Sequence, residues 1–356
     1  MKNKRLKLLV LLPILLLGVV ACDDNDENYP TEKFGAVEVV RVFDTAVTTG
    51  ITFANKNVGY ISGFDPETQE PVIAKTTKGG VSWKKQSFNS GDKTGLSILD
   101  IAAYSTDKLC AIVKLKDKPN LSPLFYSDDA GKQWTFEASG GFSYNNVIFK
   151  DDKFGFLVDE VGNLDRIVVH DWRSNNSTRL ALPLYYRFSI DKVYCNDSFG
   201  GFNNILFADF SPVGYALGSN KKHLAKTENN GENWYQLVTT PEEEITSFCV
   251  RDEWTVYLFT SENNVYRTTD GGSTWMLLNS SSTNPVLSSI VCNNHVYFAT
   301  DNALYKTGDE FNTIEELVNT KSSQNVEGIH KTFLIAPRIV AFLSKHSIII
   351  VHDYLY

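Results

Sequence analysis

The 356-residue chain is poor in methionine, with 2, in cysteine, with 5, and in histidine, with 6. Each shortage removes a class of function. The cysteines form no C-x-x-C pair, and His170, His223, His295, His330, His346 and His352 show no ligand spacing, so no metal is expected. No cofactor is expected either, because the glycine pairs read as turn residues and neither a phosphate-binding glycine loop nor a Ser elbow occurs. Positive charge is also scarce: 34 Lys and Arg against 42 Asp and Glu leave a formal charge of −8. Nucleic acid is therefore excluded as a partner, since phosphate binding needs a concentrated basic face. The one long apolar run, Leu8 to Val20, has 13 residues and is too short to span a membrane as a helix.

What is present begins with that run. Lys2, Lys4, Arg5 and Lys7 precede it, which is the layout of a secretory signal. It ends Val19-Val20-Ala21-Cys22, which resembles a bacterial lipobox, whose cysteine becomes the lipidated first residue of the mature protein. The resemblance implies a signal peptide at 1–21, a lipid anchor on Cys22 that makes the membrane a partner, and residence in the envelope of a Gram-negative bacterium. Removing four positive charges with the signal takes the mature chain to about −12. The acidic Asp23-Asp24-Asn25-Asp26-Glu27 opens a flexible tether expected at 22–34 and resembles tags that send some lipoproteins to the outer surface. Cys110, Cys249 and Cys292 sit among apolar neighbours and read as buried free thiols; the sequence fixes no pairing among them and Cys195.

The 16 Tyr and 22 Phe favour β structure, since flat rings suit a pleated, half-buried surface. A repeat supports this. Four octads carry Ser/Thr, then Gly four residues on, then Trp three further: Thr76 with Gly80 and Trp83; Ser127 with Asp129, Gly131 and Trp134; Thr227 with Gly231 and Trp234; Thr268 with Asp270, Gly272 and Trp275. A fifth, Thr307 to Ile314, loses the Gly and the Trp. The hydroxyl and the acidic or amide side chain can cap backbone N–H groups, Gly supplies a positive φ, and Trp anchors the returning strand. Lys78 and Asn229 depart from the Asp position.

These octads resemble Asp-box (BNR) repeats of sialidases, sortilin-like receptors, xyloglucan-cleaving propellers and photosystem II assembly-factor-like proteins. Upstream of each lies an apolar strand, often Gly-aromatic as in Gly59-Tyr60, Gly155-Phe156 and Gly214-Tyr215. From Gly59 through Leu109, Gly155, Gly214, Val256, Val296 and Val340 the steps are 50, 46, 59, 42, 40 and 44 residues, which suits four-stranded propeller blades. Blade 1 is expected as strands at 48–54, 58–63, 72–77 and 82–88. The third unit lacks an Asp box, and its last two strands are expected at 166–170 and 178–182. The last unit has three strands, and the unassigned strand at 36–43 completes it and closes the ring. The expectation is an all-β, seven-bladed β-propeller of four-stranded antiparallel blades spanning 35–356.

With strands A to D in order, the A–B and C–D turns share one face and the B–C and D–A loops the other. The Asp boxes are C–D turns and thus scaffold. A binding rim is expected on the opposite face, above all in a long D–A loop at 183–202 bearing Tyr185, Tyr186, Arg187, Phe188, Tyr194 and Phe202, whose rings could stack on a sugar or a protein. His352 and Asp353 are expected as a strand-end pair. Catalysis finds little support. The eight Arg left after the signal do not suggest a sialidase triad, and Asp65, Asp159, Glu160 and Asp191 resemble solvated loop acids rather than the opposed carboxylates of a glycosidase. The sequence therefore reads as a non-catalytic binding platform for a glycan or a protein. A glycoside hydrolase of the Asp-box type and an accessory subunit of an outer-membrane uptake or assembly complex are the alternatives.

Overall fold

A computed structural model describes residues 31–91, 95–136, 143–169, 188–193, 195, 199, 201–237, 241–278, 284–308 and 310–353. Among these residues, six four-stranded antiparallel sheets and one five-stranded sheet follow each other along the chain. The fold is an all-β, seven-bladed propeller. Blade 1 places strands A to D at Val47–Phe53, Gly59–Asp65, Glu70–Thr76 and Lys84–Ser87, close to the expected ranges.

Strand B is buried on both faces because a neighbouring blade packs on each side. Leu109–Leu115 and Val256–Thr260 accordingly read as nearly unbroken apolar runs rather than alternating ones. The outer strands D of blades 1 and 4, Lys84–Ser87 and Tyr235–Gln236, are short and polar, which discourages pairing with other chains. The core is divided into seven layers, one in each gap between blades. The Gly-aromatic motif serves these layers in two ways. Gly59 faces Phe53 across strands A and B, and a Cβ there would lie 2.5 Å from the ring. The following Tyr60 and Tyr215 reach the next blade, donating to Thr106 O at 2.9 Å and Glu253 O at 2.7 Å.

The ring closes as expected. Val37–Arg41 pairs with Ser347–His352 from the C-terminal end of the chain, so first and last segments share blade 7. Outside it, Thr31–Phe34 adds a fifth strand through a turn at Gly35 (φ +60°). Residues 31–34 thus belong to the sheet and not to the tether at 22–34. The lipidation residue Cys22 and the signal at 1–21 lie outside the described residues.

Blade 3 corrects the expected assignment. Its strand C is Leu164–Val169, and its strand D is Phe188–Val193 rather than 178–182. The later segment wins because it serves both adjoining layers: Ile190 packs toward blade 2 and Val193 toward blade 4. The stretch 183–202 expected as a D–A loop therefore contains strand D, Phe188–Val193, and ends where the next strand begins at Phe202. Cys110, Cys249 and Cys292 are buried free thiols.

Candidate functional site

The four octads are turns, and their geometry shows why each residue type recurs. Ser127 Oγ accepts from Gly131 N at 2.9 Å and donates to Asp129 Oδ1 at 2.8 Å; that oxygen accepts from Lys132 N and Gln133 N at 3.1 and 3.0 Å. Thr76, Thr227 and Thr268 hold Gly80, Gly231 and Gly272 in the same way. Trp83, Trp134 and Trp234 donate Nε1–H to the carbonyls of Gly80, Gly131 and Gly231 at 2.8, 3.1 and 3.2 Å. Gly231 and Gly272 press on the preceding blade, where a Cβ would lie 2.4 Å from Phe156 and Leu237. These residues lock turns onto neighbouring blades.

The rim residues divide. Phe202 is 4% exposed and packs on Phe199 and Trp234 with ring centroids 4.9 and 5.6 Å away, so it is core and not rim. It opens strand A of blade 4, whose first residue must enter the gap between blades. Phe188 lies in strand D of blade 3, paired with Val169. Tyr185, Tyr186, Arg187 and Tyr194 lie outside the described residues. Asp353 follows His352 at the end of the last strand. It sits between Asn293 Nδ2 at 2.8 Å, Lys306 Nζ at 3.2 Å and His295 Nδ1 at 3.0 Å, tying blade 7 to blade 6.

The B–C/D–A face carries a hollow at blade 5 instead. It measures about 620 Å³ and is lined by Pro241, Glu242, Glu243, Glu262, Tyr266 and Trp275. The short B–C turn at 261–264 brings Glu262 close to the D–A segment bearing Glu242 and Glu243. Glu243 is the centre of a hydrogen-bond cluster. Tyr266 OH donates to its Oε1 at 2.6 Å and Asn264 Nδ2 at 3.0 Å, while Thr260 Oγ1 donates to Oε2. Burial alone would raise the Glu243 carboxyl, but these donors outweigh it and hold the group below the usual range. The same bond pushes Tyr266 up to about 12, so at neutral pH it remains a donor. Glu244 next door is paired with Lys221 at 3.4 Å, whereas no cation faces Glu242 or Glu262 among the described residues. Trp275 departs from its counterparts: its Nε1 finds no acceptor among the described residues, and the indole forms a wall of the hollow.

Three carboxylates and two aromatic rings suit a cation. An ammonium or guanidinium gains from the charges and from the ring faces, about 0.5–2 kcal/mol for the latter. The arrangement suits acid catalysis poorly, because a general acid needs a carboxyl raised toward neutrality. A raised carboxyl does occur at Asp165, where burial outweighs the Tyr144 OH bond of 2.7 Å, but Asp165 and Tyr144 are 5% and 2% exposed and closed to substrate. Sequence reasoning missed the hollow because it followed the long loop expected at 183–202. The acidic run Glu242-Glu243-Glu244 was the available signal.

The same ring occurs in solved structures. Over 92% of this chain and 99% of the other, YCF48 bound to D1 peptide superposes with a TM-score of 0.65 at 14% identity. The two share a fold. A catalytically inactive virginiamycin B lyase from Staphylococcus aureus, with quinupristin, follows at 0.61 and 9% identity, covering 89% of this chain and 98% of that one. BamB from Moraxella catarrhalis gives 0.52 and 10% identity over 92% and 91%. No family model matches the sequence, and no curated protein does.

Proposed function

We propose that this chain is an exported lipoprotein of the Gram-negative envelope, held through Cys22, whose propeller is a non-catalytic platform for a protein partner. The partner presents a lysine or arginine to the blade 5 hollow. The observation that carries this reading is the set Glu242, Glu243, Glu262, Tyr266 and Trp275 around one cavity, with Glu243 held as a carboxylate. The YCF48 structure with D1 peptide supports it to the extent that a propeller of this shape holds a polypeptide. A glycan is the less favoured ligand, since neutral sugars do not call for three carboxylates.

The test is a peptide titration read through tryptophan fluorescence. Arginine- and lysine-containing peptides are expected to alter the Trp275 signal, with affinity falling as salt rises, and glycine-substituted peptides to leave it unchanged. Glu243→Gln with Glu262→Gln should weaken binding at least tenfold. Equal binding of neutral peptides would refute the hollow as the site. Incorporation of labelled fatty acid, lost in Cys22→Ser, checks the anchor.

A further inference from the structure

On the opposite face, the first octad is built like the others but carries Lys78 where they carry Asp129, Asn229 and Asp270. Its backbone keeps the shared form: Gly79 and Gly80 have φ of +68° and +94°, as Ala130 and Gly131 have +63° and +84°, and Asn230 and Gly231 +57° and +77°. Thr76 Oγ1 still caps Gly80 N at 3.0 Å, and Trp83 still donates to Gly80 O. What differs is the slot beside the turn. In the other three boxes a side-chain oxygen fills it and accepts one backbone N–H: Asp129 from Gln133 at 3.0 Å, Asn229 from Asn233 at 3.0 Å, Asp270 from Thr274 at 2.9 Å. The matching N–H in blade 1 is that of Ser82, and the residue in the carboxylate's place is Lys78. Among the described residues no side-chain oxygen caps Ser82 N, and the preceding Val81 N reaches Lys78 O only at 3.4 Å.

A cavity of about 290 Å³ opens at this slot, and Lys75, Lys78, Lys84, Thr77, Ser82 and Trp83 line it. Lys75 is half-buried over the Tyr60 ring at 5.4 Å. Burial, then the nearby Lys132 of the second box, lowers its ammonium from the ordinary value, and Asp107 acts the other way. Asp107 also reaches Lys75, but it already accepts from Ser105 Oγ at 2.6 Å.

We propose that this altered Asp box is an anion site. A phosphate or sulfate group takes the position of the missing carboxylate, accepts from Ser82 N–H and the Thr77 and Ser82 hydroxyls, and is neutralised by Lys75, Lys78 and Lys84. A doubly charged oxyanion suits three ammonium groups better than a single carboxylate does, and the cavity leaves room for the first atoms of a molecule that carries the group. The proposal is independent of the hollow at blade 5, which lies on the other face.

The experiment uses the intact chain and calorimetric titration with inorganic phosphate, sulfate and, at matched ionic strength, chloride. Saturable one-site binding of phosphate or sulfate, with no such response to chloride, is expected. Lys78→Asp supplies the internal carboxylate of the other boxes, so it should weaken phosphate binding at least tenfold while raising Tm in phosphate-free buffer. Lys84→Gln, on an exposed strand, should weaken binding several-fold without changing Tm. Glycerol phosphate distinguishes the source: tighter binding than inorganic phosphate indicates a group carried on a larger molecule, and equal or weaker binding indicates the free ion. Equal responses to chloride and phosphate, or unchanged phosphate binding by Lys78→Asp, would overturn the proposal.

Discussion

Asp100 sits on the inner strand of blade 2, 1% exposed, and holds three blades around the centre of the ring. One carboxylate oxygen pairs with Lys331 Nζ from blade 7, and the other accepts Val147 N–H of blade 3 at 3.1 Å. Blade 1 lies between blades 7 and 2, and its inner strand gives way: Gly50 is there, and a Cβ would stand 2.6 Å from Asp100 Oδ1. Replacing Asp100 by Ala leaves Val147 N–H without its acceptor, a cost of about 1–3 kcal/mol. It also strands the Lys331 ammonium. Breaking a fully buried pair costs about 3–5 kcal/mol, but the Lys331 side chain is 27% exposed and can turn toward water; the share left is about 1–2 kcal/mol after that screening. The total is about 3 kcal/mol, to be read by urea denaturation from the shift in midpoint at constant slope. Asp100→Asn keeps an acceptor for Val147 and should cost about half as much as Asp100→Ala, since the loss is then mainly of charge. Lys331→Met leaves the more deeply buried partner unpaired, so it should be worse than Asp100→Asn, and combining the two should recover part of the loss. An Asp100→Ala cost below about 1 kcal/mol would refute the reasoning, since neither the ion pair nor the Val147 bond would then carry weight. So would a Lys331→Met variant as stable as the parent.

Further outcomes follow from other blades. Burial alone would raise the Asp353 carboxyl, but Asn293, His295 and Lys306 outweigh it and bring it to about 2, from an ordinary 3.8. A depressed folded value gives stability that is full above pH ~4 and lost as pH falls toward ~2, so acid titration by circular dichroism should show that loss, and Asp353→Asn should flatten it. Gly231→Ala puts a Cβ 2.4 Å from Phe156 at a φ of +77°, and a thermal melt should show a clear loss, whereas Gly35→Ala, with open space around it, should show a smaller one. Phe311 occupies the glycine position of the fifth box at φ +67°, yet it is 2% exposed and packs on Phe259 and Phe298. Removing the ring costs about 3–5 kcal/mol and relieving the backbone returns about 1–2 kcal/mol. Phe311→Gly should therefore be less stable than the parent but more stable than Phe311→Ala, and the reverse order in chemical denaturation would count against this account.

Much of the fold was legible because the repeat states it locally. Thr76, Ser127, Thr227 and Thr268 each precede their Gly by four residues because one hydroxyl caps that N–H, and this short-range geometry survives in sequence. The closing strand was legible too, as an apolar segment near the N-terminus facing a blade that lacked one strand. Blade 3 was not. Without an octad to mark its turn, two segments of similar β character competed, and the choice of Phe188–Val193 rests on Ile190 and Val193 meeting the layers on either side.

The sequence by itself determined the class of fold, the number of blades and the turn-forming part of the octads, since these depend on contacts a few residues apart repeated along the chain. Tertiary structure decided which side chains meet. Asp100 and Lys331 are 231 residues apart, and Asp353 meets His295 from 58 residues away. Glu243 and Tyr266 converge from different segments. Such meetings follow from the angle at which one blade faces the next, which no local pattern encodes.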